Sequence, residues 1–133
     1  MQDHFDVRVY YEDTDAGGVV YHSNYLNFAE RARTEMLRRL GFSQAELFEQ
    51  DLAFVVHHID INYHYPAYLD DALIIKTDVK ELKRASLVFS QSICHQDGRL
   101  LSTLLVKVAC VKLAQKKPCA IPNNIIRKLS SGS

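Results

Sequence analysis

The chain has 133 residues, 47% of them hydrophobic and 24% charged, and its 16 basic residues balance 16 acidic ones. These proportions are typical of one globular domain, so they exclude wholesale disorder and provide no basic surplus for binding nucleic acid. Three cysteines without Cys-x-x-Cys spacing predict reduced thiols rather than a disulfide framework or a zinc knuckle. Neither a secretory signal nor an apolar stretch of about 18 residues for a transmembrane segment is recognised, so a cytoplasmic location is expected.

The first predicted elements are a strand and a long helix. Apolar and polar residues alternate from Phe5 to Tyr11, which is the period of a half-buried strand. The segment SNYLNFAERARTEMLRRLG then places apolar residues at helical spacing over a broad face, and this predicts one long amphipathic helix. Ser23 or Asn24 is expected to cap its start, and Gly41 is expected to adopt the left-handed conformation after its end.

A short helix and a series of strands follow. The segment SQAELFEQ predicts a second helix, because Ser43 and Glu46 have the spacing of a capping box. Three segments with alternating apolar and polar residues come next. The dipeptide Asp97-Gly98 predicts a tight hairpin before a strand that is apolar on both faces. A short helix is expected near Pro122, because proline suits the first helical turn.

The histidines near the middle of the chain raise the question of a metal site. In the segment VVHHIDINYHY, strict alternation places His57 with Ile59 on one face of a strand and His58 with Asn62 on the other. Neighbouring histidines on opposite faces cannot share an ion without a bulge. His64 shares a face with His58 but lies roughly 20 Å away along an extended strand. No metal site is therefore predicted.

The predicted order is a strand, a long helix and then about four long strands, which is typical of an α+β domain. Because the helix is apolar over a broad face, the largely antiparallel sheet is expected to curl around it. A thin domain of this kind leaves one sheet edge or face uncovered, and self-association is the usual way to cover it. The domain is expected to span residues 1–129, with residues 130–133 as a flexible tail.

The most concentrated polar residues lie in the segment YYEDTDAGGVVYHSNY, which joins the first strand to the long helix. Its end presents unpaired N–H groups and a partial positive charge at the helix N-terminus. Gly17 and Gly18 allow an oxygen atom to approach the backbone, which describes an oxyanion site. A carboxylate beside such a site can activate water or attack a carbonyl carbon. Because no serine or cysteine nucleophile is evident, the pattern favours hydrolysis of an activated acyl group such as a thioester.

The segment YYEDTDAGGVVYHSNYLNFAERARTEML resembles the start of the hotdog-fold acyl-CoA thioesterases of the 4-hydroxybenzoyl-CoA thioesterase type. The similarity is greatest to their YbgC-like branch, which is associated with the Tol-Pal cell-envelope system. The segments LAFVVHHIDINYHYPAYLDD, SLVFSQ and KVACVKL extend it over nearly the whole chain. The resemblance implies a sheet of about five strands wrapped around one central helix. It also implies a homodimer paired edge to edge, with active sites at the interface, and pairing of dimers into a homotetramer.

The resemblance also assigns roles to residues. Asp15 corresponds to the catalytic aspartate of the family, which acts as general base for water or as nucleophile through a mixed anhydride. His22 occupies the oxyanion position at the helix entrance, with Gly17 and Gly18 before it. The resemblance also makes the side chain of His22 catalytic, because it is characteristic of the YbgC-like branch and is expected to orient substrate or water. The residues expected to line the substrate are Tyr10, Tyr21, Tyr25 and Asn62. The residues expected to bind the CoA phosphates are Lys83, Arg84 and Ser86. Ala85 stands where some relatives have another basic residue.

Several of these residues also have a structural interpretation. Aspartate favours turns and helix entrances, so Asp13 is expected to stabilise the loop rather than to react. Lys83 and Arg84 could be ordinary solvated charges of a turn. Asn62 and Tyr63 could pack in the core or at an interface instead of lining an acyl tunnel.

The function implied is hydrolysis of acyl-CoA to a free acid and CoA. No metal or redox cofactor is expected, and CoA enters only as part of the substrate. One alternative is a scaffold subunit that binds acyl-CoA or acyl carrier protein for cell-envelope machinery. Another is a hotdog dehydratase acting on 3-hydroxyacyl thioesters, which would use His22 with a carboxylate from the helix region.

Overall fold

A computed structural model describes residues 2–131 and contains the predicted succession of strand, long helix, short helix and four long strands. In chain order the elements are β1 (Gln2–Arg8), α1 (Asn24–Arg39), α2 (Gln44–Glu49), β2 (Leu52–Tyr63), β3 (Ala72–Leu82), β4 (Ser86–His95), β5 (Leu100–Lys112), β6 (Lys117–Pro118) and α3 (Asn123–Ser131). Within these residues, no helix combines the length and the apolar character needed to cross a membrane.

The five long strands form one antiparallel sheet in the order β1-β3-β4-β5-β2, and β6 pairs with the end of β5. The sheet curls around α1, as predicted, and β1 and β2 are its edges. The core lies between α1 and the inward face of the sheet. Its largest fully buried side chains include Phe28, Met36, Leu73, Ile75, Leu87, Ile93 and Leu101. Each large apolar side chain buried in this way contributes roughly 1.5–3 kcal/mol to folding.

The helix α1 buries the face that its apolar spacing predicts. The buried side chains of α1 are Tyr25, Phe28, Ala29, Ala32, Arg33, Met36 and Leu37. Gly41 follows the helix with φ 98°, the left-handed conformation in which glycine is least strained. The start differs from the expectation, because the side chain of Ser23 makes no capping hydrogen bond. Asn24 donates its side-chain amide to Asp13 instead, so the preceding loop holds the first helical turn.

The limits of the two short helices were predicted unequally well. The hydroxyl of Ser43 accepts a hydrogen bond from the N–H of Glu46 at 3.2 Å, which confirms the predicted cap of α2. The helix α3 begins directly after Pro122, as expected, and continues to Ser131. The helix thus includes residues 130 and 131, which were expected to begin the flexible tail, and the last two residues of that tail lie outside the described part of the chain.

A bulge in β2 changes which residues face the core. The register with β5 shifts between Val56 and His58. Phe54 packs against the core before the bulge and Ile59 packs against it afterwards, so the inward face changes from even to odd positions. The single alternation predicted for this segment is therefore wrong at its start, where Val55, expected to share the face of Ile59, is 41% exposed.

Antiparallel pairing places the loops at two opposite ends of the sheet. The entrance end contains the start of α1, the loop 9–23 before it and the loop 64–71 between β2 and β3. The turn end contains the β3–β4 turn at residues 83–85 and the start of β2. Because β4 runs the full length of the sheet, the two ends are roughly 30 Å apart at 3.3 Å per residue.

Candidate active site

Asp15 lies in a small hairpin formed by residues 13–21, directly before α1. The N–H of Asp15 donates to the C=O of Val19 at 2.9 Å, and the N–H of Gly18 donates to the C=O of Asp15 at 3.1 Å. Gly18 has φ 80°, so the chain reverses through a tight turn that requires a left-handed residue. The side chain of Asp15 is exposed at the tip of this hairpin.

The carboxylate of Asp15 is oriented by the backbone of Gly17. The N–H of Gly17 donates to Oδ1 of Asp15 at 2.8 Å, and a Cβ at Gly17 would lie 3.3 Å from the same oxygen. Within residues 2–131, Oδ2 of Asp15 has no hydrogen-bond partner, so it can accept a proton from water or meet a carbonyl carbon. The N–H groups of Gly17 and Gly18, expected to serve as oxyanion donors, are both used inside the hairpin, where they shape the turn and orient the acid.

Asp13 holds the base of the same hairpin. Its side chain is only 7% exposed. Oδ2 of Asp13 accepts the N–H of Tyr10 at 2.8 Å, and Oδ1 accepts the side-chain amide of Asn24 at 2.7 Å. This carboxylate therefore joins the end of β1 to the start of α1, and the structural interpretation of Asp13 is confirmed. Tyr10, expected to line the substrate, is 61% exposed beside this junction.

The helix entrance presents two free backbone N–H groups, those of His22 and Ser23. Across the described residues neither group has an acceptor, whereas the N–H of Asn24 donates to the C=O of Tyr21 at 2.8 Å. The C=O of His22 accepts the hydroxyl of Tyr63 at 2.7 Å. Because the C=O and N–H of one planar peptide unit point in opposite directions, this bond fixes the direction of the Ser23 N–H. Free N–H groups at the N-terminus of a helix are able to stabilise a negatively charged oxygen.

Two exposed side chains lie together at this entrance. The ring centroids of Tyr21 and His22 are 4.4 Å apart with an interplanar angle of 41°. Both side chains remain open to solvent, so both can contact a ligand at the start of α1.

Tyr25 supports the site from beneath instead of lining it. Its side chain is 3% exposed, and its hydroxyl accepts the N–H of Ala67 at 3.0 Å. Its ring packs edge-on against Tyr63 with centroids 5.4 Å apart. Burial raises the pKa of Tyr25, although the hydrogen bond from Ala67 acts in the opposite direction. Burial also raises the pKa of Tyr63. These tyrosines therefore act as neutral supports of the entrance.

The structure brings Tyr63, and not Asn62, to the helix entrance. Asn62 is exposed on the outer face of the sheet, where Thr103 of β5 is its partner in the register. Tyr63 lies on the opposite face and reaches the backbone of His22. The sequence analysis expected Asn62 to line the substrate and left Tyr63 undecided between an acyl tunnel and packing in the core or at an interface. Because Tyr63 shares the inward face with Ile61, the strand periodicity contained the signal that could have identified it.

The loop 64–71 holds the hairpin from its other side. The N–H of Val20 donates to the C=O of Ala67 at 2.8 Å, and the N–H of Leu69 donates to the C=O of Gly18 at 3.2 Å. This loop therefore joins the hairpin to the sheet and to Tyr25, which also contacts Ala67. The acid, the helix entrance and their supports belong to one hydrogen-bonded unit.

The predicted CoA-binding residues lie at the other end of the sheet. The N–H of Lys83 donates to the C=O of Ser86 at 2.8 Å and closes the β3–β4 turn. The side chains of Lys83 and Arg84 are exposed. Because this turn and Asp15 lie at opposite ends of the sheet, roughly 30 Å apart along β4, one protomer does not bring the predicted acid and the predicted phosphate site together.

The histidines of β2 remain separate despite the bulge between Val56 and His58. In the part of the chain that the structure describes, no three His, Cys, Asp or Glu side chains are close enough to hold one metal ion.

Comparison with known proteins extends this description. Residues 9–129 match the profile of the thioesterase-like superfamily. The chain belongs to this superfamily. It is 54% identical over 122 residues to the acyl-CoA thioesterase YbgC of Haemophilus influenzae, a match covering 91% of this chain and 89% of that protein. A probable thioesterase from Bartonella henselae superposes with a TM-score of 0.86 at 40% identity, covering 92% of this chain and 100% of that one. A DHNA-CoA thioesterase from Staphylococcus aureus superposes with a TM-score of 0.93 at 26% identity, covering 98% of this chain and 90% of that one.

Membership of the thioesterase-like superfamily confirms the hotdog fold expected from the resemblance. The matched region begins at Val9, immediately before the hairpin, and includes the helix entrance and the β3–β4 turn. The similarity therefore covers both the candidate catalytic residues and the candidate CoA-binding residues.

Proposed function

We propose that this protein is an acyl-CoA thioesterase that hydrolyses acyl-CoA to a free acid and CoA without a metal or redox cofactor. The observation that carries the proposal is that one loop, residues 9–23, contains both an exposed, oriented carboxylate, Asp15, and the free N–H groups of His22 and Ser23 at the helix entrance. The names of similar proteins, among them the acyl-CoA thioesterase YbgC of Haemophilus influenzae, support the substrate class.

In the proposed reaction the thioester oxygen lies against the helix entrance. As the acyl carbon becomes tetrahedral, the N–H groups of His22 and Ser23 stabilise the negative charge that develops on this oxygen. Removal of one such donor typically costs about 2.7–4 kcal/mol of transition-state stabilisation. The partial positive charge of the α1 N-terminus acts in the same direction. Collapse of the tetrahedral species breaks the C–S bond, and CoA leaves as a thiolate that takes up a proton.

Asp15 supplies the oxygen that forms the new bond, directly or through water. As a general base, it removes a proton from a water molecule while the water oxygen bonds to the acyl carbon. As a nucleophile, it attacks the acyl carbon itself and forms a mixed anhydride that water then hydrolyses. Both routes need an accessible carboxylate oxygen, and Oδ2 of Asp15 provides one.

The proposal includes a homodimer in which the β2 edges of two protomers pair antiparallel. An edge strand of 12 residues presents a long row of backbone groups to a second copy. Two-fold pairing places the entrance end of one protomer beside the turn end of the other. CoA would then extend from Asp15 of one protomer to the basic turn of its partner. Further pairing into a tetramer, a cytoplasmic location, acyl carrier protein as a partner and a Tol-Pal association stay predictions from the resemblance.

Product analysis tests the activity. Purified protein is incubated with short, long and aromatic acyl-CoAs, and free thiol is measured. Release of CoA thiol by the parent protein, and its loss in Asp15→Asn, is the expected result. An enoyl thioester from a 3-hydroxyacyl-CoA would instead identify a dehydratase. Tight binding without any product would identify a scaffold.

Mixing two inactive variants tests the shared site. Asp15→Asn and the double variant Lys83→Ala/Arg84→Ala are co-expressed with different tags, and heterodimers are purified. Because each heterodimer contains one intact acid opposite one intact basic turn, about half of the parental activity per dimer should return. Co-expression of two tagged Asp15→Asn chains is the matched control and should stay inactive. Failure of the heterodimers to recover activity would contradict a site assembled from two protomers.

A further inference from the structure

A cavity separate from the helix entrance lies beside the middle of α1, toward the turn end of the sheet. Its volume is about 400 Å³, within the roughly 300–1,000 Å³ of small-molecule sites. It is open on one side and lined by residues of α1, α2, β2, α3 and the central strands. Its main apolar wall residues are Leu37, Phe48, Phe54, Val56, Leu87 and Val108.

The wall of this cavity also contains the buried side chain of Arg33. The residue is 8% exposed, and its Nη1 donates to Oε1 of Gln91 at 2.9 Å. The amide nitrogen of Gln91 donates in turn to the C=O of Ala29 and to the hydroxyl of Thr77, both at 3.0 Å. This chain of hydrogen bonds fixes the guanidinium against the core and leaves one side of it toward the cavity.

The rest of the guanidinium has no partner in the protomer. Among residues 2–131 no carboxylate forms an ion pair with Arg33, and its Nε and Nη2 make no hydrogen bond. Neither nitrogen is fully enclosed by protein, and Arg33 is one of the residues that line the cavity. Burial lowers the pKa of Arg33, and Glu30, an exposed residue at the rim of the same cavity, acts in the opposite direction from one turn away. A buried charge without a counter-ion is costly, so the cavity favours an anion.

We propose that this cavity binds an organic carboxylate with an apolar chain. The carboxylate accepts hydrogen bonds from the free N–H groups of Arg33, a pairing that suits the geometry of both groups. The apolar chain lies against Leu37, Phe54 and Val108 and removes their surface from water. A neutral hydrocarbon would leave the guanidinium unpaired, and a phosphate ion would leave the apolar walls unused.

The source of the carboxylate rests on the proposed function. Hydrolysis of an acyl-CoA releases a free acid of this kind, and an acyl group with a second, terminal carboxylate presents the same chemistry. Arg33 lies about 15 Å along the helix axis from Ser23, by the helical rise per residue. Arg33 is therefore too far from a carbonyl at the helix entrance of its own protomer to act on it, and it would recognise the far end of an acyl group or a separate acid.

Calorimetric titration with octanoate and with 1-octanol tests the cavity without any turnover. The parent protein should bind octanoate at least about tenfold more tightly than 1-octanol, because only octanoate makes charge-assisted hydrogen bonds. Arg33→Met should remove this preference and leave 1-octanol binding unchanged. Arg31→Met, which removes the same charge from the exposed side of α1, is the matched control and should bind both ligands as the parent does.

A second variant keeps the test informative if Arg33→Met does not fold. Thr34→Phe places a ring in the cavity without removing the hydrogen bond between Arg33 and Gln91. It should weaken the binding of octanoate and the binding of 1-octanol by similar factors. Equal affinity of the parent for both ligands, or octanoate binding that survives both Arg33→Met and Thr34→Phe, would overturn the proposal. A dimer structure in which a carboxylate of the second copy pairs with Arg33 would overturn it as well.

Kinetics distinguish the two sources of the carboxylate. If the acyl group carries it, dodecanedioyl-CoA, whose extended chain is long enough to reach Arg33 from the helix entrance, should be hydrolysed with a higher kcat/KM than dodecanoyl-CoA, and Arg33→Met should remove that preference. If the free acid carries it, the two substrates should respond alike, and octanoate should inhibit the parent but not Arg33→Met. Because the titrations need no hydrolysis, their failure would refute the cavity assignment alone, and failure of thiol release would refute the proposed function alone.

Discussion

The base and the tip of the hairpin 13–21 each contain an aspartate, and the two carboxylates have opposite surroundings. Asp13 at the base is buried, and both of its oxygens accept hydrogen bonds. Asp15 at the tip is exposed, and only one of its oxygens has a partner. One short loop therefore contains an acid for stability and an acid for reaction. The hydrogen bonds to both oxygens of Asp13 fix the loop, and the single hydrogen bond to Asp15 orients its carboxylate while one oxygen stays available.

The strongest test of this comparison is Asp15→Asn. The amide keeps an oxygen that can accept the N–H of Gly17, so stability should be unchanged. It cannot act as a base or a nucleophile, so acyl-CoA turnover should fall by about 10²–10⁴-fold. Thiol release and thermal unfolding measured on the same preparation check both parts. Turnover close to that of the parent would remove Asp15 from the mechanism.

The opposite result is expected at the base of the hairpin. Asp13→Asn replaces one acceptor oxygen by a donor, so either the N–H of Tyr10 or the amide of Asn24 loses its partner. The free energy of unfolding should fall by about 1.5–3 kcal/mol, the usual value of a hydrogen bond to a charged group. Urea denaturation followed by circular dichroism measures this change. A variant as stable as the parent would show that Asp13 does not hold the loop.

The two adjacent glycines extend the comparison, because Gly18 is expected to affect stability and Gly17 is expected to affect the position of the Asp15 carboxylate. Gly18→Ala meets no neighbouring atom but requires φ 80°, so it should cost about 1–2 kcal/mol of stability. Gly17→Ala places a Cβ 3.3 Å from Oδ1 of Asp15, so it should lower kcat several-fold by shifting the acid. Measurements of unfolding and of kcat on both variants separate the two effects. A loss of stability in Gly17→Ala together with a lower kcat in Gly18→Ala alone would contradict the prediction.

The smallest effect concerns the helix entrance. Tyr63→Phe removes the hydrogen bond to the C=O of His22 and loosens the direction of the Ser23 N–H. Because a neutral hydrogen bond contributes about 0.5–1.5 kcal/mol, kcat should fall about two- to tenfold with little change in KM. Tyr65→Phe, at an exposed tyrosine two residues away, is the matched control and should behave as the parent. A rise in KM alone would indicate a contact with substrate instead of a positioning role.

Local patterns made much of this structure predictable from the sequence. The apolar spacing of α1, the glycine after it and the cap of α2 depend on residues close in the chain, and each was identified. Asp15, Gly17 and Gly18 likewise form a compact local motif that resembles a known family, and the catalytic role that this resemblance gives Asp15 stays a prediction. The Asp13 interpretation succeeded for the same reason, since aspartate at a helix entrance has few alternative roles.

The features that were missed depend on contacts between distant parts of the chain. The bulge near His57 inserts one residue into β2, and no residue there marks it, so the predicted faces were wrong before it. Tyr25 was assigned to the substrate surface, but its hydroxyl is used by Ala67, 42 residues away. Gly17 and Gly18 were expected to donate hydrogen bonds to an oxyanion, but their N–H groups have acceptors within the hairpin. Such contacts depend on the three-dimensional packing of the chain, and the spacing of apolar residues in the sequence does not reveal them.

The other edge of the sheet has a consequence for assembly. The strand β1 is seven residues long and exposes Gln2, His4, Asp6 and Arg8 in alternation, and Asp3 pairs with Arg39 of α1. A short edge that carries charges of both signs is a poor template for another strand. If β2 joins two copies, the remaining β1 edges discourage further growth of the sheet. Association by this sheet would therefore end at a closed pair and would not continue into a fibre.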